Sequence, residues 1–282
     1  MYKKVTSIDH ADAILGSNFD FVVTPLFSVA STSETVVVSP TTARIAGSTE
    51  TNRNSFTVLS DFSDIIFVLN GYLTKTPYKR MEVIHYTGGF GEEITKTIRT
   101  ITKNNNKGGV IEETYNQFGI TDWGPYILKM KKNGVDIVFA DMLGDDFLRF
   151  ANQAKQLGLN AQLMTHMDIR DKISEKGVKV SSVQGAVVLN WDVLGDDKRL
   201  SKNFIARYGH EPKLLAAQAY IATYVLAQAV DMSQSKGIPL AKVLESTTFD
   251  TPLGTFSFTK NHTGYDTPVK IQKISGTELV DF

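Results

Sequence analysis

From Arg80 onward the chain alternates between short β-type runs and helix-type runs, and this alternation limits its possible folds more than any other feature. MEVIHY (residues 81–86) reads as a strand, and residues 92–101 as a helix with Ile94, Ile98 and Ile101 on one face. The cycle then repeats. GVIEETY (109–115) leads to a helix near 123–132, VDIVFADM (135–142) to a helix near 145–157, and AQLMTHM (161–167) to one near 169–176, while GAVVLNW (185–191) adds a fifth strand. Strands separated by helices of about ten residues cannot form hairpins, so right-handed crossovers and a parallel sheet covered on both faces follow. In helix 145–157, Asp145 or Asp146 is the expected cap, Phe147, Phe150 or Ala151, Ala154 and Leu157 form the buried stripe, and Gly158 ends it.

The stretch 1–76 reads as part of a second α/β sheet: a helix near 9–15, strands at 19–24, 36–39 and 55–58, and a helix from 61 to 73. It is too small to close a core alone, and helical segments at 197–208, 214–230 and 240–246 would supply its missing layers. The expected division is therefore residues 1–77 with 196–252 as lobe 1 and 78–195 with 253–282 as lobe 2, with two or three crossing strands as a hinge. The tail, GTFSF (254–258) and then VKIQKI (269–274), alternates with period two and reads as a terminal hairpin or a pair of edge strands.

Lysine plus arginine equals aspartate plus glutamate at 30 each, so neither a net field nor a basic run draws the chain to nucleic acid. The absence of cysteine excludes disulfides, thiolate metal sites and cysteine nucleophiles. No apolar run of signal-peptide length precedes Asp9, so the sequence is read without an export signal. The uncharged stretch 214–230 contains Gln218, Thr223 and Gln228 and reads as a buried helix, not a membrane span.

The motifs weigh toward a ligand pocket. Residues 19–43, FDFVVTPLFSVASTSETVVVSPTTA, hold two β-rich runs that each stop at a proline and release hydroxyl side chains, where open α/β sheets bind small ligands. Ser28, Thr41 and Thr42 are candidates to hold a carboxylate, against the blander role of caps and turns. GGFGEE (88–93) opens a helix after a strand, but it lacks a third glycine, and Glu92 and Glu93 would repel phosphate. Acidic residues near strand ends (Asp141, Asp145, Asp146, Asp168, Asp192) make a Mg²⁺ site conceivable, without a known metal spacing. The five histidines are scattered, with His166 close to the expected pocket, and there is no Gly-x-Ser-x-Gly elbow.

In matching order along nearly the whole chain, DFVVTPLFS, VVVSPTTA, NSFTVLSDFSD, KRMEVIHYTGGFGEEI, VDIVFADMLGDDFLRFANQAKQLGL and TPLGTFSF resemble the type I periplasmic solute-binding proteins. The likeness is to the leucine/isoleucine/valine-binding family that feeds ABC importers. It implies two doubly wound parallel-sheet lobes joined by a hinge, closure on an amino acid, amide or small organic acid, no catalysis, no cofactor and no metal. It further implies a membrane ABC permease as partner and an extracytoplasmic location. Carried over by position, the ligand residues are Ser28, Thr41, Thr42, Phe90, Leu143, Asp168 and Leu215, with Asp168 taking an ammonium group by a one-residue shift from Met167. Ala43 stands where amino-acid binders usually have threonine, and Phe90 where they usually have tyrosine. The resemblance also implies that the first lobe is N-terminally truncated and lacks a helix between Phe27 and Pro40. An incomplete sheet would expose strand edges and invite a homodimer. Alternatives are a ligand-sensing receptor domain on the same fold, a two-lobed Mg²⁺-dependent or nucleotide-sugar enzyme, and a relic that has lost binding.

Overall fold

The computed structural model describes residues 2–8, 10–17, 19–40, 53–60, 62–87, 89–116, 118–166, 169–173, 179–191, 199–210, 212, 214–264 and 269–282. In chain order the elements are α1 (Tyr2–Ser7), β1 (Ala13–Leu15), α2 (Asp20–Ala30), β2 (Val36–Ser39), β3 (Ser55–Thr57), α3 (Phe62–Lys75), β4 (Arg80–Tyr86) and α4 (Gly89–Asn104). There follow β5 (Gly109–Tyr115), α5 (Gly124–Asn133), β6 (Ile137–Asp141), α6 (Gly144–Gln156), β7 (Gln162–Thr165), α7 (Arg170–Ile173) and β8 (Val187–Trp191). The last part holds α8 (Arg199–Tyr208), α9 (Leu214–Lys236), α10 (Leu240–Ser246), β9 (Phe249–Thr251), β10 (Gly254–Phe256), β11 (Val269–Ser275) and β12 (Glu278–Asp281).

The chain divides into two compact units, residues 1–64 with 191–268 and residues 65–190 with 269–282, and so passes between them three times. Residues 253–268, placed in lobe 2 by the sequence reading, group with the first unit.

Unit 2 is built on a seven-stranded sheet of order β12-β11-β8-β7-β6-β4-β5, in which β5, β4, β6, β7 and β8 run parallel. Strands buried on both faces read as continuous apolar runs, as β6 and β8 do. The edge strand β5 is only partly buried and carries Glu112 and Glu113, charges that discourage pairing with another chain. Both are tied back to the sheet: Glu112 meets His85 Nε2 at 3.0 Å and Arg99 of α4 at 2.9 Å, and Glu113 pairs with Lys129 of α5. The His85 hydrogen bond, then the Arg99 charge, holds the Glu112 carboxyl below the usual glutamate range.

Helix α4 buries Gly91, Ile94, Thr95, Ile98, Ile101 and Thr102, a three-and-four spacing that makes one face. Gly91 is required there, because a Cβ would lie 2.4 Å from His85 Nδ1. Helix α6 buries Phe147, Phe150, Ala151 and Ala154 as expected, but its N-cap is Leu143, in extended backbone without a side-chain cap. Neither Asp145 nor Asp146 caps it. Asp146 is buried and accepts from Gly119 N–H and the Arg149 guanidinium, while Asp145 pairs with Lys172 at 3.4 Å.

Unit 1 carries a parallel three-stranded sheet, β1-β2-β3, and an antiparallel pair, β9-β10. Helix α9 packs Ile221, Ala222, Val225 and Ala229 into the core formed with Val36, Val38, Phe56 and Phe249. It occupies the stretch expected as a buried helix at 214–230 and continues to Lys236, but only one face is buried, with Leu215, Tyr220 and Tyr224 exposed. No helix among the described residues is long and apolar enough to cross a membrane.

Two local expectations are overturned in this unit, and the tail departs from the hairpin alternative expected of it. Residues 20–30 form helix α2, not a strand. Val23 and Ala30 are fully buried with Leu26 and Phe27 half-buried between them, so a helical stripe outweighs the β-branched run and Pro25. Residues 13–15 are strand β1, parallel to β2, where a helix was expected, and the opening helix lies earlier at Tyr2–Ser7. The tail runs do not pair with each other: β10 pairs with β9 in unit 1, and β11 with β12 at the edge of the unit 2 sheet.

Candidate functional site

Parallel strands deliver their loops to one edge, so the carboxyl ends of β4, β5, β6 and β7 bring Tyr86, Tyr115, Asp141 and Thr165 to a common rim in unit 2. Aromatic rings gather there. Tyr86 stacks on Phe118 at 4.4 Å between centroids with planes 11° apart, and meets Tyr115 edge-on at 5.7 Å. Phe90, in the first turn of α4, lies 4.5 Å from the imidazole of His166, which follows β7 and also stacks over Phe139 at 6.3 Å.

Several polar groups among the described rim residues are held in place. Tyr115 donates its hydroxyl to the Asp141 carbonyl at 2.6 Å, and burial, reinforced by Asp141 and Asp146, raises its phenol above the usual range. His166 Nδ1 sits 3.5 Å from Asp141 Oδ1. Burial pushes the His166 imidazole down to about 4, which favours the neutral ring at physiological pH. Thr87 donates both its N–H, at 2.9 Å, and its hydroxyl, at 3.2 Å, to the Tyr115 carbonyl, which fixes the exit of β4.

In unit 1 the matching rim follows β1, β2 and β3. Gly16 N–H donates to Val38 O at 3.0 Å, and the buried Ser39 hydroxyl donates to Ser17 O at 3.0 Å, so the turn after β1 is held against the end of β2. Ser60, just beyond β3, and Gln218, in α9, are buried with side-chain polar atoms that lack a partner.

The expected ligand residues fare unequally. Phe90 and Leu143 belong to the rim of unit 2, Phe90 half-buried in α4 and Leu143 half-buried at the start of α6. Ser28 lies in the second half of α2, exposed, where its carbonyl accepts from the Ser31 hydroxyl; it does not follow a strand. The residue pair that does follow the strand is Gly16–Ser17. Leu215 is in the first turn of α9 and 42 % exposed. Thr41, Thr42, Ala43, Met167, Asp168 and Asp192 lie outside the described residues. Tyr86 and Phe118 were not singled out by the sequence, although an aromatic closing or following a strand is the signal that marks them. Among the described residues, no three His, Asp or Glu side chains converge as a metal site.

A family model described as periplasmic binding protein matches residues 2–278. The chain belongs to that family. Solved structures carry the same fold over 99 % of this chain. A leucine-binding protein, LivK, from Thermotoga maritima MSB8 is 15 % identical with a TM-score of 0.84, 81 % of its own length being covered. A solute-binding protein of an ABC transporter from R. palustris, solved with benzoate, is 18 % identical with a TM-score of 0.81 and 79 % covered. The branched-chain amino acid transporter substrate-binding protein LivJ from Streptococcus pneumoniae, solved with isoleucine, is 16 % identical with a TM-score of 0.78 and 80 % covered. At such identities the likeness is one of fold. No curated protein matches the sequence.

Proposed function

We propose that this chain is a solute-binding protein that captures a small polar metabolite, an amino acid, amide or small organic acid, without altering it, and delivers it to a membrane ABC permease outside the cytoplasm. The observation that carries this reading is the parallel-sheet rim of unit 2, where the ring pairs Tyr86–Phe118 and Phe90–His166 gather at the strand ends, in a chain of the periplasmic binding protein family. Such a rim suits the apolar or planar body of a small solute. Ser17, Thr41 and Thr42 are proposed as contacts for an anionic group, and Asp168 for an ammonium group where the solute has one. Ser17 replaces Ser28 in this assignment because it, and not Ser28, follows a strand.

Thermal-shift and calorimetric titration with L-leucine, L-isoleucine and benzoate test the reading. Saturation at one hundred times Kd stabilises a native protein by about 2.7 kcal/mol, so one ligand class should raise Tm by several degrees. Phe90→Ala should weaken that ligand by about tenfold, the scale of one lost aromatic contact. A chain that ignores all three compounds and is stabilised only by Mg²⁺ or a nucleotide belongs to the enzyme reading.

A further inference from the structure

Glu82 is fully buried in the central part of β4, with Ile111 of β5 and Val138 of β6 as its lateral neighbours. Its side chain shares a face with Ile84, which belongs to the core under α5 and α6, and neither carboxyl oxygen has a hydrogen-bond partner. A carboxylate left in that state would bear the whole desolvation cost, whereas the neutral acid bears only that of a polar group.

The surroundings favour the neutral form. On β5, Glu113 lies diagonal to Glu82 on the same face, opposite Ile84, and adds like charge. From α5, Lys129 is the opposing cation, but its ammonium is engaged by Glu113, and Tyr126 lies beside it. Tyr86 and Tyr115 lie farther along the same face, and α6 offers Phe147, Phe150, Ala151 and Ala154. Burial first, then Glu113, pushes the Glu82 carboxyl up to about 7 against the attraction of Lys129.

We propose that Glu82 is a proton-dependent stability switch: unit 2 folds around the protonated acid and loosens as the surroundings pass from acid to neutral. The raised group binds a proton in the folded state that the unfolded chain releases above its ordinary value of 4.5. Stability from this group is therefore complete below that value and is lost as pH rises through the folded value, at up to about tenfold in the unfolding constant per pH unit. The switch is independent of which solute is bound.

Hydrogen exchange of β4 and β5 amides reads unit 2 locally. Comparing the full chain with Glu82→Gln at matched pH cancels the intrinsic pH dependence of exchange. Protection of wild type relative to Glu82→Gln should fall by the order of a hundredfold between about pH 5 and pH 8. A ratio constant within about twofold over that span overturns the proposal. An infrared titration of wild type gives a reading that does not need the variant to fold. The C=O stretch of a protonated buried carboxyl should persist to near neutrality, and its loss by about pH 5 overturns the proposal.

Discussion

Truncating Trp123 to alanine should destabilise unit 2 by about 3–5 kcal/mol, the range for removing a large buried aromatic. Trp123 is fully buried and stands before α5, where its ring meets Tyr115 at 5.4 Å with planes 90° apart, Phe150 at 5.9 Å and Tyr126 at 5.6 Å. Its backbone N–H is also fixed by Gln153 Oε1 at 2.7 Å, so the surrounding helices have little freedom to collapse into the void. Because α5, α6 and β5 all contribute to the same core, the loss should extend to the whole unit. Urea denaturation followed by circular dichroism measures it, and the expected curve shows a transition moved to lower urea. A loss below about 1 kcal/mol would show that the site repacks.

The second large effect is expected at Gly108, which precedes β5. A Cβ there would stand 1.3 Å from the Lys79 carbonyl oxygen, closer than any rotamer change can relieve, since the obstacle is backbone. Lys79 cannot easily retreat. Its N–H and that of Arg80 both donate to Asp136 Oδ2, at 2.7 and 2.9 Å, and Arg80 O accepts from Asp136 N–H at 2.9 Å. Those two N–H groups hold the Asp136 carboxyl below the usual aspartate range. Gly108→Ala should therefore cost about 3 kcal/mol, at the upper end of overpacking effects, through displacement of the β4–β5 register or loss of the Asp136 clamp. Urea denaturation measures it. A cost under about 0.5 kcal/mol would mean that the approach of the two chain segments is looser than described.

The sequence revealed unit 2 almost element by element, because alternation between β-branched runs and three-and-four apolar spacing has one reading when each run is long enough. Strand β5 at Gly109–Tyr115 lies where the pattern put it, as does helix α10 at Leu240–Ser246 in unit 1. Short elements were less legible. Ala13–Leu15 offers only three residues, too few to separate a strand from the end of a helix. In α2 the run Phe21-Val22-Val23-Thr24 before Pro25 carries high local β preference, and only the spacing of Val23, Leu26 or Phe27, and Ala30 reveals the face that tertiary packing uses.

The position of Ser28 relative to the strands depends on the same reading. Once residues 19–24 are taken as a strand, Ser28 becomes a strand-end residue, whereas the true strand ends at Leu15 and presents Ser17. On the other rim, Phe90 and Leu143, carried over from the family resemblance, lie at the starts of the helices that follow β4 and β6. The pairing of Tyr86 with Phe118 depends on two loops meeting in space, which no local pattern encodes.

The threefold passage of the chain between its units imposes an order on biosynthesis. As the polypeptide leaves the ribosome, β1, β2 and β3 emerge long before α9, the helix that covers them, and all of residues 65–190 must be made in the interval. The parallel strands of unit 2 can associate during that time, while the early strands wait with their apolar faces uncovered. A nascent chain of this design is most vulnerable at its front end, and chaperone contact is expected to concentrate on residues 13–60 until α9 is translated.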